Sequence, residues 1–349
     1  MIGVDLFAGA GGMTSGALQA GIDVRLAVEF DPDAANTYRN NFPSVSLIAD
    51  DIASVKAIEV GGQNDQRVLF GGPPCQGFST SNQRTRGGLN PKNWLFKEFI
   101  RVAKLWSPDW VVFENVKGIT EVEQGRFLES VMRDLEHLGY TCSSYVLNSA
   151  DYGVPQRRNR LFIVGSLHGR RVSPPLPQAA PRITVEEAID DLPTLGNGAS
   201  TDVLPYRTKA QSPYARHLRA DLATCSGHLV TRNAAYVLDR YKHVREGGNW
   251  QDIPPELMSN YKDRTRCHTG IYHRLKSDSP SVVIGNYRKN MLIHPKQNRG
   301  LSVREAARLQ SFEDKHAFSG PIGAQQQQVA NAVPPLLARA VFSSLVELK

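Results

Sequence analysis

Met1-Ile-Gly-Val-Asp-Leu-Phe-Ala-Gly-Ala-Gly-Gly12 is the stretch on which the fold turns. Ile2–Phe7 is an apolar run of strand length, followed by Gly9-Ala10-Gly11-Gly12 and then a helical pattern. Glycine lets the backbone turn tightly and approach a bound ligand, because no Cβ stands in the way. A glycine-rich strand-to-helix turn is the ligand-binding corner of a doubly wound sheet. Taken alone it also reads as a structural tight turn.

The segments that follow repeat the alternation. Val24–Phe30, Val68–Phe70 and Trp110–Phe113 read as strands, and Asp33–Asn41 and Leu95–Trp106 carry apolar residues at helical spacing. Strands alternating with helices predict βαβ units and a parallel sheet, with Leu161–Gly165 as its last strand. Ser173–Pro181 holds Pro174, Pro175, Pro177 and Pro181, so it cannot be regular helix or central strand and reads as a linker. Thr184–Glu187 and Ser302–Glu305 have the pattern of capping boxes. Between them periodicity is weak. Pro335–Leu348 reads as an amphipathic helix, and Gln325–Gln328 is a short polar run. The expected division is 1–172, 173–324 and 325–349.

Of the 349 residues, 41% are hydrophobic and 21% charged, which suits a soluble globular chain with room for two domains. No run of about 18 apolar residues is evident, so no membrane span is expected. The chain starts directly in a strand, without a basic leader, and a cytoplasmic location is expected. Cys75, Cys142, Cys225 and Cys267 form no CxxC pair, so a zinc knuckle is not expected, and Cys267, His268 and His273 read as loop residues. The net charge of +7 is unevenly spread. Residues 166–300 carry 20 Lys and Arg against 12 Asp and Glu, and the rest carries 21 against 22. A polyanion would bind the middle segment first, although a solvated basic surface reads the same way.

Glu29, at the end of the second strand, lies near the spacing at which an acidic residue meets ribose hydroxyls. Asp51, after the next apolar stretch, suits an adenine edge or a solvated loop. These features fit a nicotinamide dinucleotide as well as S-adenosylmethionine, since both carry adenosine. A phosphate-cradling loop is excluded, because no GKS or GKT follows the glycines.

Gly71-Gly-Pro-Pro-Cys75-Gln-Gly-Phe-Ser79 follows the strand Val68–Phe70 and sets Cys75 beyond its carboxyl end, where α/β sheets bind ligands. Pro73 and Pro74 stiffen the backbone ahead of the thiol. That placement suits a nucleophile better than a buried inert cysteine. Glu114 ends the next strand and should reach the same sheet edge. A carboxylate beside a thiol disfavours the thiolate, so Glu114 makes sense acting on a substrate, carrying or sharing a proton with a ring nitrogen. In Gln156-Arg157-Arg158-Asn159-Arg160, Arg158 and Arg160 would share a face if the chain is extended.

In order, DLFAGAGG (Asp5–Gly12), GGPPCQGFS (Gly71–Ser79), ENV (Glu114–Val116), QRRNR (Gln156–Arg160), RGLSVREAARLQSF (Arg299–Phe312) and NAVPP (Asn331–Pro335) make the chain resemble the bacterial cytosine-C5 DNA methyltransferases, from residue 2 to about 345. The resemblance implies a doubly wound, Rossmann-like sheet that binds S-adenosylmethionine, and a smaller, irregular target-recognition domain. It implies a C-terminal helix that returns beside the first strand. Phe7, Ala8, Gly9, Gly11, Gly12, Glu29, Phe30, Asp51, Ile52, Pro74, Leu95, Asn331 and Val333 then match cofactor positions. Cys75 matches the nucleophile, Glu114 the group at N3 or N4 of the base, and Arg158 and Arg160 the active-site arginines. Gln76–Asn93 resembles a loop that closes over DNA, with Gln76, Ser79, Ser81 and Arg84 as DNA contacts. One departure is Ala330, where the family has glycine before the asparagine.

The chemistry so implied is thiolate addition to C6 of a flipped-out cytosine in duplex DNA, methylation at C5 and elimination of the thiol, with no metal. A monomer acting on double-stranded DNA is expected, alone or paired with a restriction enzyme. Three rivals are weaker. A tRNA-acting branch carries a CFT segment, and here Cys225 is followed by Ser226 and Gly227. A non-catalytic DNA-binding module would not need Cys75, Glu114 and Arg158 together. A nicotinamide oxidoreductase has no use for the Pro-Pro-Cys-Gln segment.

Overall fold

The computed structural model describes residues 1–62, 64–74, 95–120, 125–261, 268–285, 287–289 and 291–348. The chain divides into two compact units. The first comprises residues 1–152, 158–178 and 333–349, and the second 153–157 and 179–332. The linker and the C-terminal return, placed by sequence at 173 and 325, thus stand beside divisions at 178/179 and 332/333.

The first unit is built on β1 (Ile2–Leu6), β2 (Asp23–Val28), β3 (Ser46–Ile48), β4 (Arg67–Gly71), β5 (Trp110–Val116), β6 (Thr141–Asn148) and β7 (Asn159–Ser166), in the order β3-β2-β1-β4-β5-β7-β6. The first five strands run parallel. β7 runs antiparallel to both β5 and β6. The expectation of a parallel sheet ending at Leu161–Gly165 is corrected here: β7 is reversed and lies inside β6. In β6, Ser143 and Ser144 break the apolar run, so its alternation carries too few apolar residues to register as a strand.

β5 also runs three residues further than its apolar core suggests. Glu114, Asn115 and Val116 find partners in β7, opposite Phe162, Leu161 and Arg160. Glu114 and Arg160 therefore sit diagonally across one face of an antiparallel pair, within reach of long side chains.

Helices cover both faces, as a doubly wound sheet requires. On one face α3 (Leu95–Trp106) and α4 (Arg126–His137) bury Phe99, Phe96 and Phe127. Phe99 meets Phe113 edge-on at 5.4 Å between centroids. On the other, α1 (Gly12–Gln19) packs on α10 (Pro335–Val346) so closely that a Cβ at Gly16 would lie 2.5 Å from that of Ala338. Phe342 of α10 meets Phe70 of β4 at 4.8 Å. α2 (Pro32–Asn41) follows β2, capped by Asp31.

In the second unit α5 (Val185–Ile189), α6 (Pro213–Arg219), α7 (Ala235–His243), α8 (Val303–Leu309) and α9 (Ile322–Asn331) accompany a small β8–β9 pair, Leu204–Pro205 with Thr224–Cys225. Both expected capping boxes form, Thr184 with Glu187 and Ser302 with Glu305. One stretch that the sequence reading did not register, Ile322–Val346, is long and apolar enough to cross a membrane, with 67% of its most apolar window buried. Extended backbone at Ala332 and Pro334 breaks it into α9 and α10.

Candidate active site

The glycine-rich turn leaves β1 at Phe7, whose φ of +60° is uncommon for a residue with a side chain. Three bonds hold it there. Ala8 N donates to Val28 O at 3.0 Å, Gly11 N to Ala8 O at 2.9 Å, and Gly9 N to Glu29 Oε2 at 2.7 Å. Gly9 and Gly11 have φ of +56° and +83°. A Cβ at Gly9 would meet open space, whereas at Gly11 it would lie 2.2 Å from the ring of Phe42. Gly12 is already the first residue of α1 and is buried.

Glu29 also accepts from Asp31 N at 2.8 Å. Each carboxylate oxygen thus has one backbone donor and a lone pair to spare. Burial pushes this carboxyl up against the pull of those backbone donors. Beside it Phe30 is 72% exposed, a flat apolar surface next to a hydroxyl-accepting group. Asp51 is exposed and caps the short turn Ile52–Ser54 through Ala53 N at 2.9 Å. Ile52 is buried, and Arg101 of α3 clamps the carbonyls of Ile52 and Val55 at 2.9 and 2.8 Å. Leu95 and Phe7 pack on the same core. An open glycine, a carboxylate with spare lone pairs and an exposed aromatic fit an adenosine carrying vicinal hydroxyls.

At the neighbouring strand ends, Arg160 Nε lies 2.8 Å from Glu114 Oε1, both largely buried. Burial pushes the Glu114 carboxyl up, and the charges of Arg160 and Arg158 pull it back without cancelling the rise. Arg158, 1% exposed, is pushed down by burial and by Arg160, with Glu114 opposing. A Cβ at Gly72 would lie 2.4 Å from Glu114 Oε2, so a side chain there would displace the carboxyl. Asn115 Nδ2 donates to Pro73 O at 3.0 Å and ties the end of β5 to the turn after β4. Pro74 is half-buried.

Thus Phe7, Ala8, Gly9, Gly11, Gly12, Glu29 and Phe30 form one corner, with Asp51, Ile52 and Leu95 set by the elements beside it. Glu114 and Arg160 are in contact, and Arg158 bears on them. Val333 belongs to the first unit and is buried. Asn331 ends α9 in the second unit, exposed, accepting from Gln327 at 2.6 Å. Cys75, Gln76, Ser79, Ser81, Arg84 and the loop Gln76–Asn93 lie outside the described residues. Sequence reasoning missed the parts played by Asn115 and Arg101. ENV had marked Asn115, but the Arg101 contacts span 46 and 49 residues and leave no local trace.

Residues 1–347 match the family of C-5 cytosine-specific DNA methylases. The chain is 37% identical to the type II methyltransferase M1.HphI of Haemophilus parahaemolyticus, over 99% of this chain and 86% of that protein. It is 33% identical to the type II methyltransferase M.DdeI of Desulfomicrobium norvegicum, over 97% and 86%. Among solved structures, a prophage-encoded DNA modification methyltransferase (E. coli) shares the fold with a TM-score of 0.80 at 24% identity, covering 100% of this chain and 99% of that one. The S. pombe Dnmt2 methyltransferase does so with 0.61 at 16%, over 100% and 99%.

Proposed function

Because the chain belongs to the C-5 cytosine-specific DNA methylase family and is a DNA cytosine-5 methyltransferase, we propose that its first unit carries the chemistry and its second unit reads the target. The first unit binds S-adenosylmethionine at Phe7, Ala8, Gly9, Gly11, Gly12, Glu29, Phe30, Asp51, Ile52, Pro74, Leu95 and Val333. Glu29 takes the ribose hydroxyls, and Phe30 with Ile52 flanks the adenine. When bound, that group supplies an electrophilic methyl on its sulfonium.

Cys75 is the nucleophile. Its thiolate adds to C6 of a cytosine lifted out of the duplex, which makes C5 electron-rich. Glu114 carries or shares the proton at N3 during this addition, a role that suits a carboxyl raised by burial. Arg160 orients Glu114 at 2.8 Å, and Arg158 faces the base carbonyl. Loss of the C5 proton after methylation expels the thiolate. Gln76, Ser79, Ser81 and Arg84 contact DNA. The enzyme acts as a cytoplasmic monomer on double-stranded DNA, in a restriction–modification pair or alone.

The Glu114–Arg160 contact beside Gly72 carries this reading, because it holds a carboxyl raised by burial against the turn after β4. Incubation with methyl-labelled cofactor and either bacterial genomic DNA or tRNA tests it. Label should enter DNA alone, at cytosine C5, and Cys75→Ser should abolish incorporation while sparing cofactor binding. Full activity in that variant, or label in tRNA alone, would overturn the reading.

A further inference from the structure

Behind the glycine-rich turn lies a chain of three buried polar side chains. Asp5 stands at the end of β1, Thr14 in the first turn of α1 and Tyr38 on α2, and all three are buried. Thr14 Oγ1 donates to Asp5 Oδ2 at 2.6 Å. The same oxygen lies 2.7 Å from the Tyr38 hydroxyl. A threonine hydroxyl has one proton, so with that proton on Asp5 it accepts from Tyr38. The bonds run Tyr38 to Thr14 to Asp5.

This chain brackets the turn, with Asp5 before Phe7 and Thr14 after Gly11. Between them the backbone holds φ of +60° at Phe7, +56° at Gly9 and +83° at Gly11. Such conformations persist only where the surroundings over-determine them. Tyr38 reaches the turn by a second route, since its ring packs on Phe42 at 4.8 Å and Phe42 fills the space beside Gly11. The far side of the turn is held by Glu29 on Gly9 N.

We propose that Tyr38, Thr14 and Asp5 are positioning residues for the methyl donor, fixing both ends of the turn so that Gly9 and Glu29 meet it in register. This rests on the reading of Phe7–Gly12 and Glu29 as the donor site. Asp5 performs the task in its neutral form. Burial pushes its carboxyl up to about 8, and Glu29, the other carboxylate facing it, repels a charge there. Tyr38, the third titratable group, is itself pushed up and stays neutral. Ionisation of Asp5 at alkaline pH therefore places an unpaired charge under the turn and loosens the donor.

The test is calorimetry with S-adenosylhomocysteine on the full chain, together with KM and kcat for S-adenosylmethionine. Thr14→Val and Tyr38→Phe should each raise the donor KM and Kd roughly tenfold, the scale of one lost buried hydrogen bond. Saturating kcat should move less than about twofold. Thr14→Ser, which keeps the hydroxyl, should restore most of the affinity. Wild-type affinity should fall between about pH 7 and 9, and Asp5→Asn should flatten that fall. If Thr14→Val does not fold, Tyr38→Phe, which removes only one terminal hydroxyl, decides. Wild-type donor binding in the Tyr38 and Thr14 variants, or a fall in kcat at unchanged KM, overturns the proposal. Glu29→Ala separates the two claims: if it too binds donor normally, the donor site itself has been misassigned.

Discussion

Glu305 of the second unit and the raised carboxyls of the first respond to burial in opposite ways. In the first, Asp5, Glu29 and Glu114 are all raised by burial that their partners do not offset. In the second, Glu305 is as deeply buried yet held at about 2. The difference lies in the donors supplied. Glu305 receives both Arg299 nitrogens at 2.6 and 2.8 Å and Ser302 N at 2.8 Å. Nearby, Arg308 binds Asp314 at 2.6 Å and Asp191 at 3.0 Å. Glu114 meets Arg160 Nε at 2.8 Å, with Arg158 acting on it by charge, and this does not cancel the rise that burial causes. A carboxyl saturated with donors holds a fold together, and one left short of them keeps the capacity to carry a proton for a substrate.

Substitutions can break this contrast from either side. The largest effect is expected from Glu114→Gln, which keeps the shape and removes the acid. Single-turnover methylation of genomic DNA should slow by about 10²- to 10⁴-fold, with donor affinity retained. An unchanged rate would erase the distinction between the units. Next, Arg308→Met takes the nearest cation from both Asp314 and Asp191, leaving Arg304 at 3.8 Å and Arg219 at 3.6 Å, and urea unfolding should report a loss of about 3–5 kcal/mol. A loss under about 1 kcal/mol would mean that the network is not what holds the second unit.

Acid titration sharpens the comparison at a smaller scale. The folded value of Glu305 lies below its ordinary value of 4.5, so its ion pairs stabilise the fold above that pH and cease to do so as pH falls through about 2. The swing is about 3 kcal/mol, and Glu305→Gln should remove it from the pH dependence of unfolding. Asp5 has the opposite sign. Its raised value means that stability is full below the ordinary carboxyl range and declines as pH rises through about 8. The smallest effect is that of Ser302→Ala, which deletes the hydroxyl of one capping box and should cost about 1 kcal/mol in the same unfolding assay.

Much of this was legible in the chain because it is local. The strand–glycine–helix corner, both capping boxes and the acidic end of β5 are written within a few residues of one another. What escaped notice depends on partners far along the chain. The direction of β7 is fixed by its pairing with β5 and β6, and an apolar run reads the same in either direction. Asn115 and Pro73 are 42 residues apart, and Thr14 and Tyr38 are 24 apart. No periodicity of 2.0 or 3.6 residues carries such information. Nor does local pattern show which buried acids are saturated, since Glu114 and Glu305 look alike until Arg160 and Arg299 are placed against them.

The claim that the first unit's raised acid, Glu114, serves a covalent step at Cys75 is tested most directly by trapping. Genomic DNA substituted with 5-fluorocytosine is incubated with the enzyme and S-adenosylmethionine, and the protein is then digested and its peptides weighed. The account predicts a nucleotide adduct on the peptide containing Cys75, lost in Cys75→Ser and strongly reduced in Glu114→Gln. Ordinary DNA that becomes methylated while the fluorinated DNA never bonds to that sulfur would contradict it.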